Sequence, residues 1–177
     1  MLLGDSHGNL AHLRAALRGA REAGVQAGAK LVVCVHLGDF GFWPGIEGKW
    51  FLDGVLDLIK ETGVKLWVID GNHDYPGRAG DSATVPQGYN AWSNNDPVAT
   101  MPDFCHLPRG TVFELGGKTF GVLGGGISID RLYRKEGVSW WPEETITEDQ
   151  VAGIVAQEID IMLSHDAPAI PPGKPEY

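Results

Sequence analysis

Residues 65–74 read KLWVIDGNHD, and this stretch decides the fold because a short apolar strand runs directly into a polar loop. Lys65–Ile69 is apolar and contains β-branched residues, which is typical of a strand buried inside an α/β protein. Gly63 stands just before the strand and predicts the end of a preceding helix. Residues 71–74 place polar side chains where open α/β sheets bind their ligands.

The segments on the N-terminal side of this stretch show the same alternation of helix and strand. Residues 9–23 carry leucine and alanine at helical spacing, with Asn9 as the expected cap and Gly24 as the expected end. Residues 30–37 (KLVVCVHL) predict another buried strand, and residues 48–62 predict another helix. This alternation predicts an α/β fold.

The C-terminal side is more varied. Residues 75–108 are rich in Pro, Gly, Asn and Asp, which predicts a long irregular insertion. Three elements are expected after it: a hairpin with strands over residues 111–115 and 118–123, a helix begun by a capping box from Thr147 to Gln150, and a strand over residues 159–163. The Pro-rich residues 167–177 predict an extended or disordered tail.

The composition narrows the possible function. The 177 residues suffice for one domain, and a formal charge of −9 argues against binding to extended nucleic acid, which needs clustered Lys and Arg. We find neither a signal peptide nor an apolar run long enough to span a bilayer. The chain has 2 cysteines, Cys34 and Cys105, so no disulfide framework is indicated and a reducing cytoplasm is expected. Oligomeric state cannot be predicted from these features.

Four polar clusters follow the predicted strands, namely Asp5-Ser6-His7-Gly8, Gly38-Asp39, Gly71-Asn72-His73-Asp74 and Ser164-His165. Each cluster alone is typical of a turn or of a satisfied polar group. Their common position after apolar strands predicts that they meet at one edge of the sheet. Oxygen and imidazole ligands of this kind suit Mn²⁺, Fe or Zn²⁺. Two such ions ~3.5–4 Å apart can clamp the attacking and leaving oxygens of a phosphoryl transfer.

In their order, the clusters resemble the first four parts of the calcineurin-like metallophosphoesterase pattern, D-x-H, G-D, G-N-H-D/E and a lone H. The resemblance covers nearly the whole chain. It implies a metallophosphoesterase-type β-sandwich flanked by helices, formed as a single domain over residues 1–177, with the metal site at the C-terminal edge of the strands. It also implies hydrolysis of phosphate mono- or diesters by a metal-bridging hydroxide, and it leaves the substrate open.

The resemblance assigns a role to each matched residue. Asp5 and His7 would bind the first metal ion, Asn72 and His165 the second, and Asp39 would bridge the two. Manganese is the expected metal, with iron, zinc and nickel as alternatives.

His73 and Asp74 receive catalytic roles from the same resemblance. His73 would stand beside the leaving group as a general acid and would not bind metal. Asp74 would hold the imidazole of His73 and raise its pKa.

The sequence also departs from the family pattern. No G-H-x-H follows His165, although that motif supplies one ligand to each metal, and only three residues precede Gly4. We interpret the chain as clipped at both ends; alternatively, His36, His106 or Asp166 replaces the missing ligands. A catalytically impaired module that keeps the fold and acts through a partner or nucleotide is the alternative function.

A second departure concerns the phosphate contact. The protein-phosphatase branch continues G-D-x-x-D-R-G, whereas this chain continues Phe40-Gly41-Phe42-Trp43. Arg131 and Arg134 are candidates for the missing arginine, with solvated surface side chains as the alternative. The pair Trp140-Trp141 predicts either an aromatic wall for the leaving group or a small hydrophobic cluster beneath a loop.

Overall fold

The computed structural model describes residues 1–75, 90–91 and 101–167. Its larger sheet has 5 parallel strands in the order β1-β2-β3-β5-β4. These strands are β1 (Leu2–Leu3), β2 (Val33–Leu37), β3 (Lys65–Ile69), β4 (Asn90–Ala91) and β5 (Phe104–His106). Because β1, β2 and β3 run in parallel, the loops that follow them emerge at the same edge of the sheet.

Two helices cover one face of this sheet. They are α1 (Leu10–Gln26) and α2 (Gly45–Thr62), and both begin and end close to the predicted positions. The Asn9 side chain caps α1 by accepting from the backbone N–H of His12 at 3.0 Å, as predicted. Gly63 ends α2 as predicted, whereas α1 continues beyond Gly24, the end that the sequence predicted.

A smaller sheet of 3 strands contains β6 (Val112–Leu115), β7 (Lys118–Leu123) and β8 (Ile161–Ser164). The hairpin predicted for β6 and β7 is confirmed, and β7 pairs in parallel with β8. Helix α3 (Glu148–Val155) joins β7 to β8 along the chain, and Thr147 and Gln150 form the predicted capping box at its start.

The two faces of β3 separate the two halves of the core. Leu66 and Val68 pack among residues of α1 and α2, whereas Trp67 and Ile69 pack with residues of the smaller sheet, including Phe113 and Val122. This alternation follows the period of two along a strand. The architecture is therefore two packed sheets with helices on the outer face of the larger one, and the predicted fold class is confirmed.

The insertion predicted over residues 75–108 was wrong in one respect. β4 and β5 both lie within it, and β5 pairs with β3. Phe104 and Cys105 of β5 are fully buried strand residues, which the surrounding Pro and Asp obscure in the sequence. The predicted tail after Ala167 lies outside the described residues. Across the part of the chain that the structure describes, no helix has both the length and the apolar character that a bilayer crossing requires.

Candidate metal centre

The loops after β1, β2 and β3 are joined by their backbones. The N–H of Asp5 donates to the carbonyl of Gly38 at 3.3 Å, and the N–H of His7 donates to the carbonyl of Asp39 at 2.8 Å. Asp5, His7 and Asp39 also have φ values of 51°, 43° and 52°, and they are the non-glycine residues with positive φ among those described. Such conformations are sparsely populated and cluster at functional sites, so they support a functional role for these loops.

Glycine is required where the loops approach one another. A Cβ on Gly71 would collide with the backbone N and the carboxylate of Asp39, and a Cβ on Gly38 would lie 2.8 Å from the Cα of Gly71. Both positions therefore allow the second and third loops to approach more closely than any other residue would permit.

Asp39 lies at the centre of the cluster and is 5% exposed. Its Oδ2 lies 3.6 Å from Nε2 of His7, and its Oδ1 lies 3.4 Å from Nε2 of His165. The backbone N–H of His73 donates to Oδ1 at 2.9 Å. Within the described residues, no lysine or arginine forms an ion pair with this carboxylate. Buried carboxylates are usually paired with a cationic side chain or bound to a metal ion, so these surroundings suit a metal ligand.

His165 and Asn72 direct lone pairs at the same place. Nδ1 of His165 donates to the carbonyl of Leu37 at 2.7 Å, which leaves Nε2 of the neutral ring without a proton. That Nε2 lies 2.9 Å from Oδ1 of Asn72, and the Asn72 amide is oriented by its Nδ2, which donates to Oγ of Ser128 at 3.0 Å. Acceptor atoms of His165, Asn72 and Asp39 therefore converge, as expected for ligands of a shared cation.

The possible metal ligands form two overlapping groups, Asp5 with Asp39 and His165, and His7 with Asp39 and His73. Within each group the ligand atoms lie within 4.8 Å of one another. Asp39 belongs to both groups, which is the position that a bridging ligand occupies. The structure thus brings together all five predicted ligands, Asp5, His7, Asp39, Asn72 and His165, and it adds His73, which the sequence analysis placed outside the ligand set.

His73 contacts an arginine that lies far from it in the sequence. Nη2 of Arg134 lies 2.7 Å from Nδ1 of the imidazole and also contacts Nε2, and the same guanidinium donates to the carbonyl of Asn72 at 3.2 Å. Burial lowers the pKa of His73, the carboxylate of Asp39 raises it, and the guanidinium of Arg134 lowers it again, with the net result below the ordinary value. The predicted increase in this pKa was wrong.

Asp74 has a different role from the predicted one. Its carboxylate is buried and accepts from the backbone N–H groups of Phe40, Gly41, Phe42 and Gly71 at 2.9–3.1 Å. Among the described residues, no hydrogen bond or ion pair joins it to the imidazole of His73. Burial raises the pKa of Asp74, and the four amide donors oppose that effect. Asp74 therefore fixes the loop that carries Asp39, and its adjacency to His73 in the sequence was misleading.

The residues proposed as replacement ligands lie in three different places. His36 is 1% exposed, its ring nitrogens have no partner among the described residues, and burial lowers its pKa to about 4. Nε2 of His106 lies 3.5 Å from Oδ1 of Asp70, and His106 belongs to neither group of possible metal ligands. Of the three candidates, Asp166 is the one that lines the cleft above the metal centre.

That cleft has a volume of about 490 Å³. The cleft is lined by the candidate ligands Asp5, Asp39, Asn72, His73 and His165, together with Gly126, Ile127, Ile129, Asp130 and Asp166. Arg131 and Arg134 do not line it: the Arg131 guanidinium lies 3.9 Å from the centroid of the Trp140 ring, and Arg134 supports His73. The proposed arginine contact to phosphate is therefore absent from the described lining.

Two residues beneath the centre carried no signal in the sequence. Oγ of Ser128 donates to Oε2 of Glu144 at 2.8 Å, and both residues are buried. Ser128 follows the triple glycine after β7, and Glu144 follows the tryptophan pair, which is also buried. A buried glutamate is rare unless it is paired, but burial becomes visible only in the folded chain.

The chain also matches a known protein family. The family model described as calcineurin-like phosphoesterase matches residues 1–175. No curated protein matches the chain, and no solved structure does.

Proposed function

The chain belongs to the calcineurin-like phosphoesterase family, whose members carry out metal-dependent phosphoester hydrolysis, and from this premise we propose a two-metal phosphoesterase. In this proposal Asp5, His7, Asp39, Asn72 and His165 hold two divalent ions, manganese foremost. The ions would activate water as the nucleophile and neutralise charge on the phosphate. The observation that carries the proposal is the buried carboxylate of Asp39, which belongs to both groups of ligand atoms and has no lysine or arginine partner among the described residues.

The other site residues support the reaction in distinct ways. Asp74 holds the loop of Asp39 through backbone amides, and the carbonyl of Leu37 orients the imidazole of His165. His73 faces the cleft beside Asp39, and we place it next to the leaving group. The free cysteines, Cys34 and Cys105, are compatible with the reducing cytoplasm that we propose as the location.

The cleft supports a small phosphate ester as the substrate. Its described lining contains no lysine or arginine, and Asp130 and Asp166 add negative charge, which disfavours a long polyanion. Ile127 and Ile129 line the same cleft and are 69% and 100% exposed, so an apolar or aromatic group on the ester would cover them. The formal charge of −9 agrees with this preference.

The proposal is tested by metal analysis together with hydrolysis. The chain is stripped with a chelator and titrated with Mn²⁺, and we expect two ions per chain and hydrolysis of aryl phosphate mono- or diesters in preference to oligonucleotides. Because metal binds the folded state, a concentration 100 times Kd should add about 2.7 kcal/mol of stability. For a chain of this size, the melting temperature should then rise by roughly 5–11 °C. A melting temperature indifferent to both Mn²⁺ and chelator, with no hydrolysis, would instead favour a non-catalytic module.

The role of His73 has its own test, based on the leaving group. An aryl oxygen leaves without much protonation, whereas an alkyl or ribose oxygen needs a proton donor, and general acids contribute ~10²–10⁴-fold. We expect His73→Ala to reduce hydrolysis of alkyl esters by about that factor and to affect nitrophenyl esters far less. Metal content should hardly change. Loss of a metal ion in this variant would instead make His73 a ligand, as its grouping with His7 and Asp39 allows.

A further inference from the structure

Asn72 is the one amide among the proposed ligands, and its metal-binding atom depends on which way the side chain is turned. Its amide has an oxygen that can bind a cation and an NH₂ group that cannot, and the two ends occupy nearly the same space. The orientation is therefore decided by the partner of the NH₂ group, which is Oγ of Ser128 at 3.0 Å. Whatever fixes the hydroxyl of Ser128 also fixes the ligand atom of Asn72.

Glu144 fixes that hydroxyl. Its Oε1 accepts from the backbone N–H of Ser128 at 2.8 Å, and its Oε2 accepts from Oγ of Ser128 at 2.8 Å. Because the only proton of the hydroxyl is donated to the carboxylate, Ser128 can offer Asn72 nothing except an acceptor. Ser128 and Glu144 are 4% and 2% exposed, so bulk water does not readily replace either partner.

The backbone of Glu144 is held independently of its side chain. Its carbonyl accepts from the N–H of Gly126 at 3.0 Å and from Nη2 of Arg109 at 3.0 Å. Arg109 is itself fixed by Asp70, to which its Nε donates at 2.9 Å. A change of the Glu144 carboxylate to an amide therefore alters the polarity of the hydrogen bonds while the backbone anchors remain.

We infer that Ser128 and Glu144 are positioning residues. Glu144 accepts the hydroxyl proton of Ser128, Ser128 accepts from the NH₂ group of Asn72, and this hydrogen-bonded relay turns the oxygen of Asn72 toward the second metal ion. This inference rests on the proposed metal-binding role of Asn72. It assigns a role to the segment after the triple glycine, which supplies no predicted ligand. It also accounts for a buried glutamate whose carboxylate contacts only Ser128 among the described hydrogen-bond partners.

The first test removes the relay by single substitutions. Ser128→Ala deletes the acceptor, and Glu144→Gln supplies an NH₂ group that competes with Asn72 for Oγ of Ser128. Removal of groups that orient ligands typically weakens metal binding by 10–100-fold. We expect both variants to bind one of the two Mn²⁺ ions about 10–100-fold more weakly and the other nearly as wild type, as measured by calorimetry or by the spin resonance of free Mn²⁺.

The second test reverses the relay. In Asn72→Asp combined with Glu144→Gln, the amide of Gln would donate to Ser128, the hydroxyl would donate to the new aspartate, and an oxygen would again face the metal. The exchange keeps the formal charge. Glu144→Gln should therefore weaken Mn²⁺ binding when residue 72 is Asn and should restore it when residue 72 is Asp, a sign change that a merely structural role of Glu144 would not produce.

The outcomes separate the inference from the function on which it rests. If wild type binds two ions and both single variants bind them equally well, the relay does not position Asn72. If the single variants lose an ion and the double variant fails to regain it, Glu144 acts only through the fold of its loop, and the inference is overturned. If wild type binds no metal at all, the proposed function itself has failed, and the inference fails with it.

Discussion

Asp39 and Asp70 are buried carboxylates of nearly equal exposure, 5% and 7%, placed just after the neighbouring strands β2 and β3. Asp70 accepts from Nε and Nη2 of Arg109 at 2.9 and 2.6 Å, and His106 lies 3.5 Å away. Asp39 has no such arginine among the described residues, and the imidazoles of His7 and His165 lie 3.6 and 3.4 Å from it.

The difference separates a structural acid from a functional one. A fixed guanidinium pairs with Oδ2 of Asp70, and His106 lies beside its Oδ1, so the charge of this carboxylate is compensated within the chain. Asp39 is surrounded by groups that also carry lone pairs, and in the proposed function an exchangeable cation would match its charge. Burial alone therefore does not single out the candidate metal centre, whereas burial without a lysine or arginine partner among the described residues points to it.

Replacement of Asp39 should have the largest effect on activity. Asp39→Asn keeps the volume and removes the charge between two cations, so we expect loss of metal and a fall in hydrolysis of roughly a thousandfold or more. Without metal, the same variant should be as stable as wild type or more stable, because an uncompensated buried charge is gone. Metal analysis and initial rates measure the first effect, and urea unfolding in chelator measures the second.

Asp70→Asn is the matched control. It should retain metal binding and hydrolysis and should lower the stability of the fold. If it abolished metal binding as completely as Asp39→Asn, or if Asp39→Asn kept two ions and full activity, the distinction between the two carboxylates would be mistaken. The two substitutions are chemically identical and lie at the same edge of the same sheet, so differences between them report on their surroundings.

Asp70 should contribute more than Asp39 to the stability of the fold. Its neutralisation leaves the Arg109 side chain, which is 8% exposed, without its charged partner. Breaking a buried pair from one side typically destabilises a protein by about 3–5 kcal/mol. We expect Asp70→Asn to reduce the urea unfolding free energy by about that amount. The exposed pair of Lys49 and Asp53 offers a comparison, because Asp53→Asn should change stability by less than about 1 kcal/mol. Equal losses at the two pairs would contradict the structural role of Asp70.

The sequence could predict the position of Asp39, but it could not predict that Asp70 pairs with Arg109. Asp39 belongs to a short motif that follows an apolar strand, so its position at the sheet edge follows from local pattern alone. Asp70 also follows such a strand, but its partner Arg109 comes 39 residues later in the chain, beyond a segment that was predicted to be irregular. Pairing across that distance depends on β5 joining the sheet, which Pro and Asp near the strand conceal.

Side-chain direction was the other feature that the sequence could not supply. Asp74 stands next to His73 in the chain, yet its carboxylate turns toward backbone amides of the loop after β2. Arg134, which does contact the imidazole, lies 61 positions away. Ser128 and Glu144 are ordinary residues until burial and hydrogen bonding are known. The motif residues were found because their spacing is local, whereas the groups that orient them come from distant segments.

Acid should weaken the Asp70 pair, and this effect is smaller than the loss of the pair by substitution. Burial raises the pKa of Asp70, but His106 and Arg109 outweigh it and lower the pKa from 3.8 to about 2. Because the folded pKa lies below the unfolded one, the stabilisation is fully present above about pH 4 and is lost as the pH falls toward 2. The difference between the unfolded pKa of 3.8 and the folded pKa of about 2 corresponds to about 2 kcal/mol of stability. We therefore expect the difference in unfolding free energy between wild type and Asp70→Asn to narrow by about that amount over this range. Other carboxylates titrate in both proteins, so their contributions largely cancel in the difference. A difference that stays constant down to pH 2 would mean that Arg109 and His106 do not hold this pKa down, and the structural role of Asp70 would be contradicted.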